Sequence, residues 1–345
     1  MPAQITVVLS TLGNYSGLAR VLDGYERQDA EPGSFEMTVV VDAAEPDPAA
    51  AEAAVGERPY PVRILRGGIP GLSANRNVGW REATTPLVLF TDNDTVPEPQ
   101  LVAEHLAWHR EHTAEEVAVL GHVRWAREVR VTPFMHWLDH GVQFDFPNID
   151  GIEAGWGRFY GANVSVKVAL CKRVGGFDEQ RLPYLYDDLD FGYRASKHGL
   201  RVLYNRRAVV EHLREVDLAY WQQRMDRAAL TEREFVSKHP EVEPYFLRLY
   251  SHAMTLKPAS GRGRHLIKLI PRSFPWLGDK VWRSADIYYR QQIAPYFLAA
   301  WERQERERAP AEGKVVAPYL LDRDAVGSSA GEPSQPGGSS PGGPK

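Results

Sequence analysis

The sequence has very little cysteine and no long apolar run. Cys171 is the only cysteine among 345 residues, which excludes an internal disulfide and any metal site built from several thiolates. No apolar run approaches the roughly 18 residues that a membrane span requires. The N-terminus has neither a basic region nor an apolar stretch long enough for a signal peptide. These absences predict a cytoplasmic protein that is not an integral membrane protein.

The chain also lacks an excess of positive charge. Its formal net charge is -4, which gives no global attraction to nucleic acid, and we expect no nucleic-acid partner. The composition, 43% hydrophobic and 25% charged, is that of an ordinary globular enzyme. The length is sufficient for one large domain or two fused domains with a substantial core.

Predicted strands alternate with predicted helices through the first half of the chain. The predicted strands are Ile5–Ser10, Phe35–Asp42, Val62–Leu65, Leu87–Thr91 and a segment near Val117–Val123. One predicted helix begins near Ser16, and the others are Ala49–Val55, Leu72–Ala83 and Gln100–Glu111. This alternation predicts an α/β fold with a parallel sheet. Ligands of such sheets bind beyond the carboxyl ends of the strands, where Asp42, the loop Gly67–Gly71 and the Asp92/Asp94 pair are expected.

The most informative local signal is an apolar strand that ends in two carboxylates. Asp92 and Asp94 follow Leu87–Phe90 and point the same way if the extended geometry continues past Thr91. Two aligned carboxylates suit Mg²⁺ or Mn²⁺, which complete their shells with water and substrate phosphates. An EF-hand is excluded, because Pro97 stands where that loop requires glycine. A nucleoside diphosphate is the natural ligand of such a site.

The second half is less regular. Arg130–Gly157 is predicted to be a functional loop region, Phe159–Ser165 an extended segment, Val168–Val174 a helix, Gly175–Glu179 a tight turn and Asp217–Lys238 a long helix, with another helix beginning at Pro244. A carboxylate-rich helix follows the tight turn. It places Asp187, Asp188 and Asp190 in its first turn, where they complement the positive end of the helix dipole.

The C-terminal part divides into a basic, apolar region and a tail. Residues 257–283 mix basic side chains with large apolar ones. This mixture favours an amphipathic appendage packed on the rest of the protein, and the alternative is peripheral contact with an anionic membrane. Residues 311–345 are predicted to be a linker and a disordered tail, because the tail from about Gly327 is rich in Gly, Ser and Pro.

The order and spacing of several short motifs resemble those of the family 2 glycosyltransferases, which have the GT-A fold. The motifs are Ile5–Ser10, Asp42, Gly71–Gly79, Asp92–Asp94, Gly161–Ser165, Gly175–Glu179, Asp187–Asp190 and Glu211-His212, over roughly residues 4–215. The resemblance implies a mixed, mainly parallel sheet flanked by helices, with a C-terminal helical appendage. It implies a catalytic domain over 1–240, with a nucleotide-sugar half at 1–118 and an acceptor half at 119–240, followed by a helical extension at 241–310.

The resemblance also implies an inverting, metal-dependent sugar transfer. The donor would be a UDP- or GDP-sugar, and the acceptor a hydroxyl of a saccharide, a lipid-linked molecule or a small molecule. Asp188 matches the catalytic base and Asp187 would orient the acceptor, while Asp92 and Asp94 would hold Mg²⁺ or Mn²⁺ with His212 completing the shell. Crowding of the three acids at 187, 188 and 190 should raise at least one pKa by mutual repulsion.

The implied donor contacts come from both halves of the catalytic domain. They are Thr11, Asp42, Asn75, Arg76, Asp92, Gly161, Ala162 and Asn163. Asp42 would contact the nucleoside base. Arg76, near the N-terminus of a predicted helix, would contact the diphosphate. Gly161, Ala162 and Asn163 would bring the backbone close to the donor sugar or the acceptor.

Two other functions remain open on the sequence alone. A sugar-1-phosphate nucleotidyltransferase would require a loop rich in glycine and arginine after the first strand, and Thr11–Gly17 contains no basic residue. A non-catalytic nucleotide-sugar-binding protein would share the fold without turnover. Retention of every acidic motif position argues against it. No GxxxxGK[ST] loop is present, which excludes a P-loop NTPase.

Overall fold

An eight-stranded sheet lies at the centre of the protein, in the order β3-β2-β1-β4-β7-β6-β8-β5. The structure is a computed structural model that describes residues 2–308, so the predicted linker and tail lie outside the described residues. The strands are β1 Ile5–Thr11, β2 Phe35–Val41, β3 Val62–Arg66, β4 Leu87–Asp92, β5 Thr95–Pro97, β6 Val117–Trp125, β7 Asn163–Lys167 and β8 Arg201–His212.

Helices flank this sheet and continue beyond it. They are α1 Tyr15–Glu26, α2 Pro48–Val55, α3 Leu72–Arg81, α4 Leu101–Glu111, α5 Pro133–Leu138, α6 Val168–Val174, α7 Asp187–Ser196, α8 Leu218–Lys238, α9 Tyr245–Thr255 and α10 Gly278–Arg308, with 3₁₀ helices at Phe146–Asn148, Trp156–Arg158 and Arg264–Lys268. Within residues 2–308, no helix combines the length and the apolar character needed to cross a membrane.

The sheet is mixed and mainly parallel. β1 pairs in parallel with β2 and with β4, β2 with β3, and β6 with β8. β7 runs antiparallel between β4 and β6, and β5 is antiparallel to β8. In register, Thr11 lies opposite Val41 and Ser10 opposite Asp92. The carboxyl ends of β1, β2 and β4 therefore meet at one edge, as the sequence predicted.

Helix α3 lies very close to the sheet because of a glycine. A Cβ on Gly79 would overlap the side chain of Val8 on β1, so only glycine permits this approach. The close contact fixes the position of the whole helix against the sheet. It thereby positions Asn75 and Arg76 at the edge where the parallel strands end.

The apolar interior forms two clusters. The first covers both faces of the sheet, and the buried Cys171 of α6 belongs to it. The second joins α5, α7, α8, α9 and α10 through large buried side chains such as Trp221 and Phe297. The predicted loop region Arg130–Gly157 is more ordered than expected, because α5 lies within it and buries Phe134 and Trp137 in this second cluster.

Candidate active site

The chain turns sharply at the end of β4. Asp92 is the last residue of the strand, and Asn93 and Asp94 form a turn. The Thr95 hydroxyl closes this turn, because it donates to the Asp92 carbonyl at 2.9 Å and accepts from the Asp92 amide at 3.2 Å. The extended geometry thus continues past Thr91 only as far as Asp92. Strand alternation therefore does not determine the relative directions of the two carboxylates.

Asp94 instead faces His212 on a neighbouring strand. β5 pairs with β8 so that Thr95 lies opposite His212, which brings Asp94 Oδ2 to 3.7 Å from His212 Nε2. Both side chains are buried. Among residues 2–308, neither Asp94 Oδ1 nor His212 Nε2 has a hydrogen-bond partner. Buried polar atoms are almost always satisfied, so these two indicate a place for a ligand.

Burial shifts the pKa of both groups. It raises the pKa of Asp94 well above its usual value, and the nearby charge of Asp92 raises it further. Burial lowers the pKa of His212 to about 3, with the positive charges of Arg214 and Arg224 acting in the same direction. His212 is therefore a neutral imidazole at neutral pH, which is the form that binds metals.

The side-chain atoms of Asp94 and His212 suit a divalent cation that completes its coordination shell with oxygen atoms of a substrate. In the described part of the chain, no three His, Cys, Asp or Glu side chains are grouped so that they could hold an ion by themselves. The unpartnered oxygen of Asp94 and nitrogen of His212 could supply two ligands, and Asp92 is close by. Mg²⁺ and Mn²⁺ commonly take only a few protein ligands and complete their shells with phosphate oxygens and water.

We expect His212→Ala to weaken Mn²⁺ binding in the presence of a nucleoside diphosphate. Loss of a ligand should cost at least as much as loss of an outer-shell partner, which is about ten- to a hundredfold in affinity. Calorimetric titration with Mn²⁺ measures the change. His122→Ala is the matched control, because His122 is also on a strand but bonds to Tyr204. Equal Mn²⁺ affinity in the two variants would show that His212 is not a ligand of the metal.

Arg76 joins the end of β4 to the first turn of α7. Its side chain is 1% exposed; Nη1 donates to Asp187 Oδ2, and Nη2 lies 3.4 Å from Asp92 Oδ1. Burial alone would lower the pKa of Arg76, but attraction from Asp187, Asp92 and Asp188 raises it. The structure thus gathers both predicted acidic motifs around one guanidinium. Contact of Arg76 with a diphosphate stays a prediction, since these carboxylates already engage its Nη atoms.

Two backbone amides hold the carboxylate of Asp188. Gly161 N donates to Oδ2 at 3.0 Å, and Leu189 N donates to Oδ1 at 2.9 Å. Burial raises the pKa of Asp188 to about 7, and the charge of Asp187 adds to this. A carboxylate with this pKa exchanges a proton near neutral pH, as a general base requires.

The expected crowding of the acids is confirmed only in part. Asp187 does raise the pKa of Asp188, but burial is the larger cause for both residues, and Arg76 partly offsets the shift of Asp187. Asp190 points elsewhere. It is fully buried and pairs with Arg194 on α7 and with Lys238 and His239 at the end of α8. Asp190 therefore fixes α7 to α8.

Gly161 lies between Arg76 and the Asp188 carboxylate. A Cβ at this position would overlap the Arg76 guanidinium, so the residue must be glycine for its amide to reach Asp188. Ala162 is buried beside it. Asn163 faces the core: its Nδ2 donates to the carbonyls of His122 and Ala208, and its Oδ1 lies 2.9 Å from His105 Nε2. This side chain is therefore engaged within the protein, and the expected approach of the Gly161, Ala162 and Asn163 backbone to the donor sugar or the acceptor stays a prediction.

Asp42 organises the glycine-rich loop that precedes α3. Its Oδ1 accepts from Ala44 N at 2.8 Å, and its Oδ2 accepts from Gly71 N at 2.9 Å and from Asn75 Nδ2 at 2.7 Å. Thr11 is also engaged within the chain, since Asn93 Nδ2 donates to its hydroxyl at 3.1 Å. Nucleoside contacts by Asp42, Asn75 and Thr11 stay predictions at this edge.

Sequence reasoning missed several polar residues around the site. Arg214 and Arg224 are close enough for their positive charges to lower the pKa of both Asp94 and His212. Burial lowers the pKa of Arg224, and repulsion from Arg214 and Arg227 lowers it further. The hydroxyl of Tyr184 is buried with no hydrogen-bond partner among residues 2–308, while Asp42 and Arg227 are close enough to influence its pKa. Arg224 and Arg227 are three residues apart on a predicted helix, a spacing that could have identified this basic face.

The chain matches the family model described as Glycosyltransferase like family 2 over residues 2–231. The chain belongs to glycosyltransferase family 2. This is the family that the motifs predicted. Two curated relatives, both validoxylamine A glucosyltransferases, come from Streptomyces hygroscopicus subsp. limoneus and subsp. jinggangensis. They are 26% and 25% identical over 276 residues, and each alignment covers 70% of this chain. The chain spans 58% and 62% of their lengths.

Solved structures show that this family 2 glycosyltransferase has the GT-A fold. The mannosyltransferase PcManGT from Pyrobaculum calidifontis, in complex with GDP-Man and Mn²⁺, has a TM-score of 0.50 at 17% identity, covering 91% of this chain and 77% of that one. TarS 1–349 of S. aureus in complex with UDP-GlcNAc has a TM-score of 0.50 at 15% identity, covering 97% and 99%. These similarities establish the predicted mixed, mainly parallel sheet with its C-terminal helices.

Proposed function

We propose that this enzyme transfers a sugar, with inversion, from a UDP- or GDP-sugar to a hydroxyl of a saccharide, lipid-linked or small-molecule acceptor. One observation carries the proposal. Arg76 contacts Asp92 at the end of β4 and Asp187 at the start of α7, and Asp188 is the next residue. The donor side and the proton-accepting side are therefore parts of one cluster, which a transfer reaction requires.

Asp188 acts as the general base in this proposal. The acceptor hydroxyl attacks the anomeric carbon from the side opposite the nucleoside diphosphate, and its proton passes to Asp188 as the new bond forms. The Gly161 and Leu189 amides fix the orientation of the carboxylate. Asp187, held by Arg76, orients the acceptor hydroxyl. The glycosidic bond to the diphosphate breaks in the same step, so the configuration inverts.

Positive charge is available for the departing diphosphate. A Mg²⁺ or Mn²⁺ ion bound at Asp94 and His212, with Asp92 beside it, would neutralise the charge that grows on the leaving group. Arg214 and Arg224 are near the same two residues and contribute fixed positive charge. They supplement Arg76, whose guanidinium already pairs with carboxylates.

The comparisons support a nucleotide-sugar donor. One structural neighbour was solved with GDP-Man and Mn²⁺ and another with UDP-GlcNAc, and both curated relatives are glucosyltransferases. A cytoplasmic location, with peripheral contact at the inner face of the cell membrane through residues 257–283, stays a proposal.

A thermal-shift screen of nucleotide sugars with Mn²⁺ or Mg²⁺ tests the donor assignment. A ligand that binds only the folded chain at about a hundred times its Kd should raise Tm by about 4 °C. We expect a UDP- or GDP-sugar to give the largest shift and EDTA to reduce it. Incubation of the best donor with candidate acceptors, followed by NMR of the product, then reports the anomeric configuration. Absence of a shift with every nucleotide sugar and both metals would contradict the proposal.

The same screen separates the enzyme from a non-catalytic binding protein. Both would show a donor-dependent shift in Tm, but only the enzyme would release nucleoside diphosphate over time. Hydrolysis of the donor in the absence of an acceptor provides this readout before the acceptor is known. A clear shift without any release or transfer would favour the binding protein.

A further inference from the structure

A loop at the start of the last helix exposes large apolar side chains. Residues 269–277 connect the 3₁₀ helix Arg264–Lys268 to α10. Within this loop the exposed fractions are 75% for Leu269, 49% for Phe274 and 81% for Trp276. Single exposed apolar residues are common on protein surfaces, but several together mark a contact surface.

The inner side of this loop is firmly anchored. Ile267 and Trp282 are buried in the second apolar cluster. Trp282 Nε1 donates to the carbonyl of Ile270 at 2.9 Å, and Lys268 Nζ donates to the carbonyl of Val131 at 2.6 Å. The exposed side chains therefore project from a supported loop. Only the inner half of the region packs as the amphipathic appendage that the sequence favoured.

Basic residues flank the exposed apolar ones in the sequence. Residues 257–283 contain seven lysines and arginines and a single acidic residue, Asp279, in a chain whose formal net charge is -4. Arg272, Lys280 and Arg283 are all exposed. Asp279 is 3.8 Å from Arg272, but both side chains are more than 60% exposed, so water and salt weaken this pair. The local charge is opposite in sign to that of the whole protein.

Trp276 has an unusual backbone conformation that contributes to its exposure. Its φ is 53°, in the left-handed region that bulky residues rarely adopt. Such a conformation persists only where the surrounding structure holds it. Here Phe274 N donates to Pro271 O and Gly278 N donates to Phe274 O, both at 2.9 Å, which closes the loop around the tryptophan.

We propose that residues 269–277, with Lys280 and Arg283, form a C-terminal patch that docks the chain on the surface of an anionic lipid bilayer. Tryptophan and phenylalanine lie favourably at the boundary between headgroups and acyl chains, and basic side chains around them attract anionic headgroups. The apolar side chains project outward rather than lining a groove, which suits a soft, flat partner better than a folded one. Docking does not depend on the proposed sugar transfer.

Co-sedimentation of the full chain with vesicles tests the electrostatic part. We expect binding to phosphatidylcholine vesicles that contain phosphatidylglycerol, weaker binding to phosphatidylcholine alone, and loss of the difference at high salt. Lys280→Glu with Arg283→Glu should lower the partition coefficient by about thirtyfold or more. The matched control is Arg110→Glu with Lys172→Glu, on exposed positions of α4 and α6 outside the patch. This control should retain most of the binding.

A second pair of variants tests insertion of the apolar side chains. Phe274→Ser with Trp276→Ser should reduce binding about tenfold or more, because buried aromatic area contributes most of the apolar term. Ile152→Ser with Met254→Ser, which are 46% and 50% exposed outside the patch, should not. The chain has nine tryptophans, so insertion of Trp276 would be reported by the part of the fluorescence that brominated lipid quenches in the wild type and not in the Phe274→Ser, Trp276→Ser variant.

The proposal is overturned if the wild type binds anionic and neutral vesicles equally weakly, or if the patch variants bind like their controls. Light scattering measures the oligomeric state and tests the alternative that the patch joins two copies of the chain. A dimer that dissociates when Phe274 and Trp276 are replaced would assign the patch to a second copy of the chain. A cooperative thermal transition at the wild-type Tm, measured without any donor, verifies folding of every variant and keeps this result independent of the proposed transfer reaction.

Discussion

Asp188→Asn should lower kcat by about 10² to 10⁴-fold, because asparagine cannot accept the acceptor proton. Asparagine retains one oxygen for the Gly161 amide but turns its NH2 toward the Leu189 amide, so we expect a moderate loss of stability and little change in donor affinity. Turnover of the best donor from the thermal-shift screen measures kcat, and the donor-induced Tm shift measures binding. Loss of binding together with turnover would contradict the assigned role.

The pH profile gives a second readout of the same group. Asp188 is protonated below its pKa of about 7 and can act as a base only above it. The kcat/KM of the wild type should therefore rise as the pH increases through about 7, and Asp188→Asn should lack this rise. Asp190→Asn is the matched control, because Asp190 pairs with Arg194, Lys238 and His239. It should lower Tm and leave the pH profile of the folded enzyme unchanged.

Arg76→Met should lower the free energy of unfolding by about 3–5 kcal/mol, the usual cost of leaving buried charges without their partner. Methionine approximates the length of the side chain but leaves Asp187 and Asp92 without their shared cation. Urea unfolding at neutral pH measures the change. Arg81→Ala on the same helix is the matched control. Arg81 is 48% exposed and 3.7 Å from Glu179, so its loss should cost less than about 1 kcal/mol.

A double variant separates charge from packing. If the cost of Arg76→Met comes from an uncompensated carboxylate, then adding Asp187→Asn should recover part of the lost stability, because it removes one buried negative charge. If the cost comes from lost packing against Phe177, whose ring centre is 5.6 Å from the guanidinium carbon, the second change should recover nothing. Equal stability of Arg76→Met and Arg81→Ala would show that the ion cluster contributes little.

Local sequence signals predicted most elements of the fold. Helix α6 has the predicted bounds Val168–Val174, because its apolar residues recur at helical spacing and Gly175 follows directly with a positive φ. Strand β4 extends one residue beyond its predicted end. The three acids at 187, 188 and 190 occupy the first turn of α7 as expected. In each case the information lies within a few neighbouring residues.

Contacts between distant parts of the chain could not be predicted in this way. Arg76 and Asp187 are 111 residues apart, and nothing near Arg76 in sequence indicates that its guanidinium is buried among carboxylates. The meeting of Asp94 with His212 depends on the pairing of β5 with β8, and β5 is too short for a periodic signal. The turn after Asp92 depends on one hydroxyl, that of Thr95, which no apolar pattern records.

The single cysteine has a practical consequence for experiments on this enzyme. Cys171 is 0% exposed, and burial raises the pKa of its thiol, so it stays unreactive in the folded chain. A cysteine introduced at an exposed position such as Ile152 would be the one thiol open to alkylation. Fluorophores or spin labels can therefore be attached at chosen sites of the native sequence, without first removing a background cysteine.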